Sequence, residues 1–309
     1  MTKLLTKIVF VLLPVFAIAI TFELIARKVP TSYTSKLDNF NQKKSQIEIL
    51  VMGNSHSNFG INPQYFGKEA FNFSNTSQGL YQDYRLLLKY LPECKNLKMV
   101  IIPISYFTLQ SDLTKGSEAW RCAYYSLYLG VQTDTSLSKY DLRNYSALFL
   151  CDGPFNSVIR MRNSDKLSIN KYGYQSPKKS ELSIDKIIND SAGKKRVVSH
   201  DEYMHKSLID FNIDTLDKMA SELTKRNIKI IFVTTPVYKT YYQNITDCNY
   251  QLMINVIDLM VKKYSAVSCN YFYDNRFDIS DFMDNDHLYA DGAKKFSEIL
   301  RHDVIDKMM

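Results

Sequence analysis

The chain has 309 residues, 45% of them hydrophobic and 13% aromatic, which supplies a substantial core and excludes a disordered protein. Its formal charge of +7 is modest and scattered, and no reader module accompanies it, so no nucleic-acid partner is expected. Five cysteines (Cys94, Cys122, Cys151, Cys248, Cys269) lack any C-x-x-C pair, which argues against a zinc knuckle and leaves disulfides and free thiols both open.

At the N-terminus, Ile8 to Phe22 carries no charge, and Leu24-Ile25-Ala26 extends the apolar character past Glu23. As a helix, Ile8 to Ala26 would span about 28 Å, close to the ~30 Å of a bilayer's hydrocarbon layer. Lys3 and Lys7 before it nearly balance Arg27 and Lys28 after it, so charge orients the segment poorly. Ala17-Ile18-Ala19 resembles a signal-peptide cleavage site, but the apolar run continues beyond it, as suits an uncleaved anchor. The expected organisation is a membrane anchor over 1–28, a polar stalk over 29–46 and a folded domain over 47–309, outside the cytoplasm.

Next comes the mostly apolar stretch Ile47 to Met52, ended by Gly53, which reads as a buried parallel strand. Ala70 to Phe73 is a second strand, Leu80 to Leu91 a helix by its apolar spacing, and Met99 to Ile104 a third strand. From about 108 to 205 this rhythm breaks. Glu118 to Leu150 is aromatic-rich and reads as helical, whereas Lys166 to Ser199 is polar and lysine-rich. An insertion at the edge where strands end suits a lid or substrate-selecting loop, or mere decoration. The rhythm then resumes: helix Leu208 to Arg226, strand Ile228 to Thr234, helix Tyr250 to Tyr264, strand Asn270 to Tyr273, and a last helix that Asp291 could cap. Alternating strands and helices imply an α/β fold, a parallel sheet covered on both faces.

Two short segments carry the chemistry. Gly53-Asn54-Ser55-His56-Ser57 places a serine just past the first strand, where ligands bind in open α/β sheets. The bland alternative is a serine that caps a turn. Asp284-Asn285-Asp286-His287-Leu288 puts His287 three residues after Asp284, close enough for the carboxylate to hold Nδ1 and leave Nε2 free as a base. Ser55, His287 and Asp284 are thus candidate nucleophile, base and orienting group. Of the other histidines, His56, His200 and His302 have no acid three residues upstream, and His205 lies near the polar insertion. A metal site of Asp284, Asp286 and His287 is the weaker alternative, because no other compact ligand set accompanies it, and no metal or cofactor is expected. Neither G-x-x-x-x-G-K-[ST] nor G-x-G-x-x-G occurs.

With Gly53-Asn54-Ser55-His56 after the first strand and Asp284-x-x-His287-Leu288 before the last helix, the chain resembles the SGNH (GDSL-like) hydrolases over nearly all of 47–309. The resemblance implies a three-layer α/β/α, flavodoxin-like domain with Ser55, Asp284 and His287 as catalytic residues. Asn58-Phe59-Gly60-Ile61-Asn62-Pro63 and the stretch Asp286 to Ala293 are similar to the membrane-anchored bacterial branch linked to cell-surface polysaccharides and teichoic acids. From that follow an acylated glycan or other ester as substrate and an acyl-donating membrane protein as partner. Two blocks depart from the family. Its glycine of the oxyanion hole has its counterpart at Ser77 or Gly79, and Ser105-Tyr106-Phe107 replaces Gly-x-Asn-Asp after the third strand. Ser105 or Asn75 could substitute for the lost donor. Otherwise the fold serves as a non-catalytic binding or assembly component of polysaccharide biosynthesis.

Overall fold

A computed structural model describes residues 2–132, 140–150, 168–177 and 184–309. The chain divides into two compact units, Met1–Thr34 with Trp120–Leu167, and Ser35–Ala119 with Ser168–Met309.

The larger unit is built on five parallel strands: β1 (Ile49–Val51), β2 (Ala70–Asn72), β3 (Met99–Pro103), β4 (Lys229–Thr234) and β5 (Val267–Asn270). Their order is β2-β1-β3-β4-β5, with Ile49 opposite both Ala70 and Met99. β1 to β3 are buried throughout, which explains why they read as nearly unbroken apolar runs. Helices Leu80–Tyr90, Ile209–Lys225, Asp247–Tyr264 and Ala290–Leu300 follow the strands and bury one face each. Val51, Ile101, Ile231 and Val233 meet Leu288, Phe296 and Leu300 in one continuous core. Chain direction across the sheet reverses between β1 and β3, the switch point beyond whose carboxyl ends such sheets bind ligands.

Three elements differ from expectation. Residues 29–46 form more than a polar stalk, because Ser32–Lys43 is helical. There Phe40 is fully buried and stacks on Phe73, with Phe71 and Tyr90 edge-on at ring distances of 5.5 and 5.3 Å. β5 lies at Val267–Asn270 and stops where the expected strand begins, since Asn270 bonds Thr234 and the chain then turns. Tyr289 is the residue before the last long helix, so Asp291 sits within its first turn and does not cap it.

In the smaller unit, Thr2–Arg27 is one helix, of which Thr6–Arg27 has a mean hydropathy of 2.7 and exposes most of its apolar side chains. Glu23, its single acidic residue, accepts hydrogen bonds from the Ser146 hydroxyl and the amides of Ala147 and Leu148. It thereby satisfies the first amides of the short Ala147–Leu150 helix, while Arg27 donates to Glu23 and to the Tyr145 carbonyl. Between 118 and 150 the described helices are short, at Cys122–Leu127 and Ala147–Leu150. The expected polar stretch 166–199 falls partly outside the described residues and contains the start of a helix, Asp190–Asp201. Cys94, Cys122, Cys248 and Cys269 are free thiols, and Cys151 lies outside the described residues.

Gly292 lies in the first turn of the Ala290–Leu300 helix, where a Cβ would come within 2.1 Å of the Asp281 carbonyl oxygen. Overpacking of this kind costs about 1–3 kcal/mol. Gly292→Ala should lower the urea unfolding midpoint accordingly, and an unchanged midpoint would contradict the packing described.

Candidate active site

The site begins with the way β1 ends. Gly53 adopts φ +107°, a conformation that suits glycine, and a Cβ there would press on Ser57 Oγ at 2.8 Å and the Pro103 ring at 3.2 Å. The chain turns sharply, Asn54 caps the short Ser55–Gly60 helix by accepting from the His56 amide, and Ser55 occupies the first helical position.

His287 arrives from the far end of the chain. Asp284 Oδ1 accepts from the Asp286 and His287 amides at 3.0 and 2.7 Å, an Asx turn that fixes the loop. The same carboxylate lies 2.9 Å from His287 Nδ1 through Oδ2, and His287 Nε2 lies 2.8 Å from Ser55 Oγ. A carboxylate can only accept, so Nδ1 carries the proton and Nε2 accepts from the serine hydroxyl. Burial pushes the imidazole pKa down, but Asp286 and Asp284 more than offset it, and the result lies above 6.5.

A second buried relay stands behind this one. Asp286, with no exposed side-chain surface, accepts from His56 Nε2 at 3.0 Å and from Arg196 Nε at 2.8 Å. Despite its burial, these neighbours and His287 hold its carboxyl well below the usual range. His56 then presents Nδ1 to the Ser105 hydroxyl at 2.8 Å, and its burial pushes its own pKa down, as befits a neutral ring. Asp286 approaches His287 Nδ1 only to 3.6 Å, so Asp284 is the acid that holds the base.

The four candidate oxyanion residues separate into two pairs. Ser77 and Gly79 line a cavity of about 390 Å³ together with Ser55 and His287. Ser77 takes φ +60°, an uncommon state for a residue with a Cβ, and such residues cluster at working sites. Asn75 and Ser105 are both buried and bonded elsewhere. Asn75 Nδ2 donates to Gln78 and its amide to the Gly53 carbonyl, while the Ser105 hydroxyl serves His56. Asp83 ties the two loops together, for its Oδ1 accepts from the Gly53 amide at 2.9 Å and from Gln78 Nε2 at 2.6 Å.

His56, Asp83, Arg196 and His200 join the site without a motif to mark them. His56, directly after Ser55, carries the one local signal, whereas Asp83 reaches Gly53, Arg196 reaches Asp286 and His200 reaches Tyr241 across long stretches of chain. Among the described residues, ligand-type atoms of His56, Asp286 and His287 lie within 4.8 Å of one another. They fit a metal poorly, because they already bond one another, Asp284 and Ser55, and an ion at Asp286 would have to displace the Arg196 guanidinium.

No family model matches the chain, and no curated protein does. Among solved structures it is similar to a GDSL-like lipase from Bacteroides thetaiotaomicron VPI-5482, with 12% identity over 88% of this chain and 96% of that one, TM-score 0.42. A chain from Bacteroides fragilis NCTC 9343 described as an acylhydrolase aligns at 10% identity over 88% and 97%, TM-score 0.42. One from Streptococcus pneumonia described as a platelet activating factor aligns at 10% over 96% and 99%, TM-score 0.44.

Burial pushes the Asp83 carboxyl up to about 7 from 3.8. The native state therefore holds this proton more tightly than the unfolded chain does. Its contribution to stability is complete below about pH 4 and is lost as pH rises through 7. Asp83→Asn keeps an acceptor for the Gly53 amide but cannot ionise, so its melting temperature should fall less than the wild type's between about pH 5 and 8. Equal slopes in calorimetry would contradict this. With strand order β2-β1-β3-β4-β5, the chain has a doubly wound parallel α/β architecture that brings Ser55, Asp284 and His287 together beyond the carboxyl end of β1.

Proposed function

We propose that the protein is a membrane-anchored serine esterase or O-acyltransferase that works on an acylated glycan of the cell surface. The observation that carries this reading is the unbroken chain of hydrogen bonds from Asp284 through His287 to Ser55 Oγ. Ser55 attacks an ester carbonyl while His287 Nε2 takes its proton, and the imidazolium formed lies between two carboxylates. His287 then protonates the departing alkoxide, leaving an acyl-serine. Water would complete hydrolysis, whereas an acceptor hydroxyl would complete transfer. The amides of Ser55 and Ser77, which line the cavity, would receive the oxyanion in place of a side-chain donor after β3, the Gly79 amide being bonded to Gln82 Oε1.

The Thr6–Arg27 helix is long and apolar enough to span a bilayer, which supports a single-pass anchor with the α/β unit outside the cytoplasm. An acyl-donating membrane protein would then share the bilayer with it. The spent hydroxyl of Ser105 favours a second reading, a non-catalytic binding or assembly role, under which Ser55→Ala would keep full activity in the cell.

A fluorophosphonate probe should label Ser55, and Ser55→Ala should abolish both labelling and ester hydrolysis, the latter by roughly 10⁴-fold or more. Labelling that persists in that variant removes the proposal. Because the base works only when neutral, kcat/KM should rise with pH through a value above 6.5. Asp284→Asn withdraws a carboxylate that raises this pKa, so the limb should move to lower pH while kcat falls about 10⁴-fold. A limb that stays in place would assign the orienting role to another group.

A further inference from the structure

We propose that Arg196 makes the Ser55 cavity selective for esters that carry an anionic group, a carboxylate or phosphate, beside the scissile bond. The inference rests on the esterase reading and adds the charge of its substrate.

Arg196 lines the same cavity as Ser55 and His287, and 36% of its side chain is exposed. Its Nε is committed to Asp286, and no other partner holds the guanidinium among the described residues. A guanidinium has five N–H donors in a planar fork, so four are left for a ligand. Asp286 balances its charge from a position of complete burial, so the cavity meets the cation and not the carboxylate. His200, beside it in the lining, is held neutral by burial, its pKa pushed down to about 3. Asp112 and Glu118 also line the cavity, both on the segment 111–118, which confines the anion to the Arg196 side.

The arginine is rigidly placed, as a specificity element should be. Its helix, Asp190–Asp201, packs so closely at Gly193 that a Cβ there would lie 2.0 Å from the Thr240 carbonyl oxygen. Asn285, two residues before His287, donates to the Asn189 carbonyl at the start of that helix and to Thr240 Oγ1. The loop that carries the base thus also fixes the guanidinium.

The test uses the full chain in detergent and two matched ester pairs. Mono-4-nitrophenyl succinate against 4-nitrophenyl pentanoate puts the charge on the acyl side; 4-acetoxybenzoate against its methyl ester puts it on the alcohol side. The charged member of at least one pair should be preferred by about tenfold or more in kcat/KM, the size of one charge-assisted hydrogen bond. That preference should collapse toward unity in Arg196→Gln, through KM, and be largely kept in Arg196→Lys. No preference in either wild-type pair, or a preference that survives Arg196→Gln, overturns the inference. Because Arg196 also supports Asp286, a binding measurement stands beside the kinetics. Benzoate or inorganic phosphate should bind Ser55→Ala in calorimetry, whereas benzamide should not, and Arg196→Gln in that background should abolish binding. Failure of both anions to bind overturns the inference even if the esters are hydrolysed. Anion binding without hydrolysis of any ester or labelling of Ser55 would instead overturn the esterase reading and leave the anion site standing.

Discussion

The hydrogen bond between Ser55 and His287 joins residues 232 positions apart, and most features of the α/β unit serve it. A serine hydroxyl is a poor nucleophile until a base lies within hydrogen-bond reach. That reach is set by β1, which delivers Ser55 at its end, and by the Asp284 turn, which presents His287. Both rest on the core formed by Val51, Leu288 and Phe296. Gly53 allows the turn that aims Ser55 outward, and Gly292 allows the final helix to close against Asp281.

Two relays share this small volume without competing for the same atoms. Asp284 is partly exposed and bonds the base, whereas Asp286 is buried and bonds His56 and Arg196. In a low-dielectric interior a lone carboxylate would be costly, and two donors make Asp286 tolerable as an anion. Its field still reaches His287 at 3.6 Å, so it steadies an imidazolium that it does not directly bind. Ser105 completes this arrangement. A serine after β3 satisfies His56 Nδ1 at 2.8 Å.

Period and punctuation made the sheet legible. Ile47 to Met52, Met99 to Ile104 and Ile228 to Thr234 are apolar because strands covered on both faces must be, and each contains the strand observed. The helix Ser32–Lys43 leaves little sequence signal because it is polar along most of its length and buries Phe40 against partners far away in sequence. β5 carries a weak signal for a related reason. Ser268 and Asn270 are exposed on an edge strand, so the segment carries little apolar signal.

By itself, then, the sequence determined the alternation of strands and helices, the apolar N-terminal helix, and the serine, aspartate and histidine that can act together. These depend on local spacing: a strand's burial, a helix's periodicity, and a carboxylate three residues before an imidazole. Tertiary structure alone decided which of two acids holds His287, that Asn75 and Ser105 are bonded elsewhere, and that Arg196 enters the Ser55 cavity. Each of those outcomes depends on distances of about 3 Å between segments far apart along the chain. Such distances arise only when the sheet and its covering helices have packed, and no spacing along a sequence encodes them.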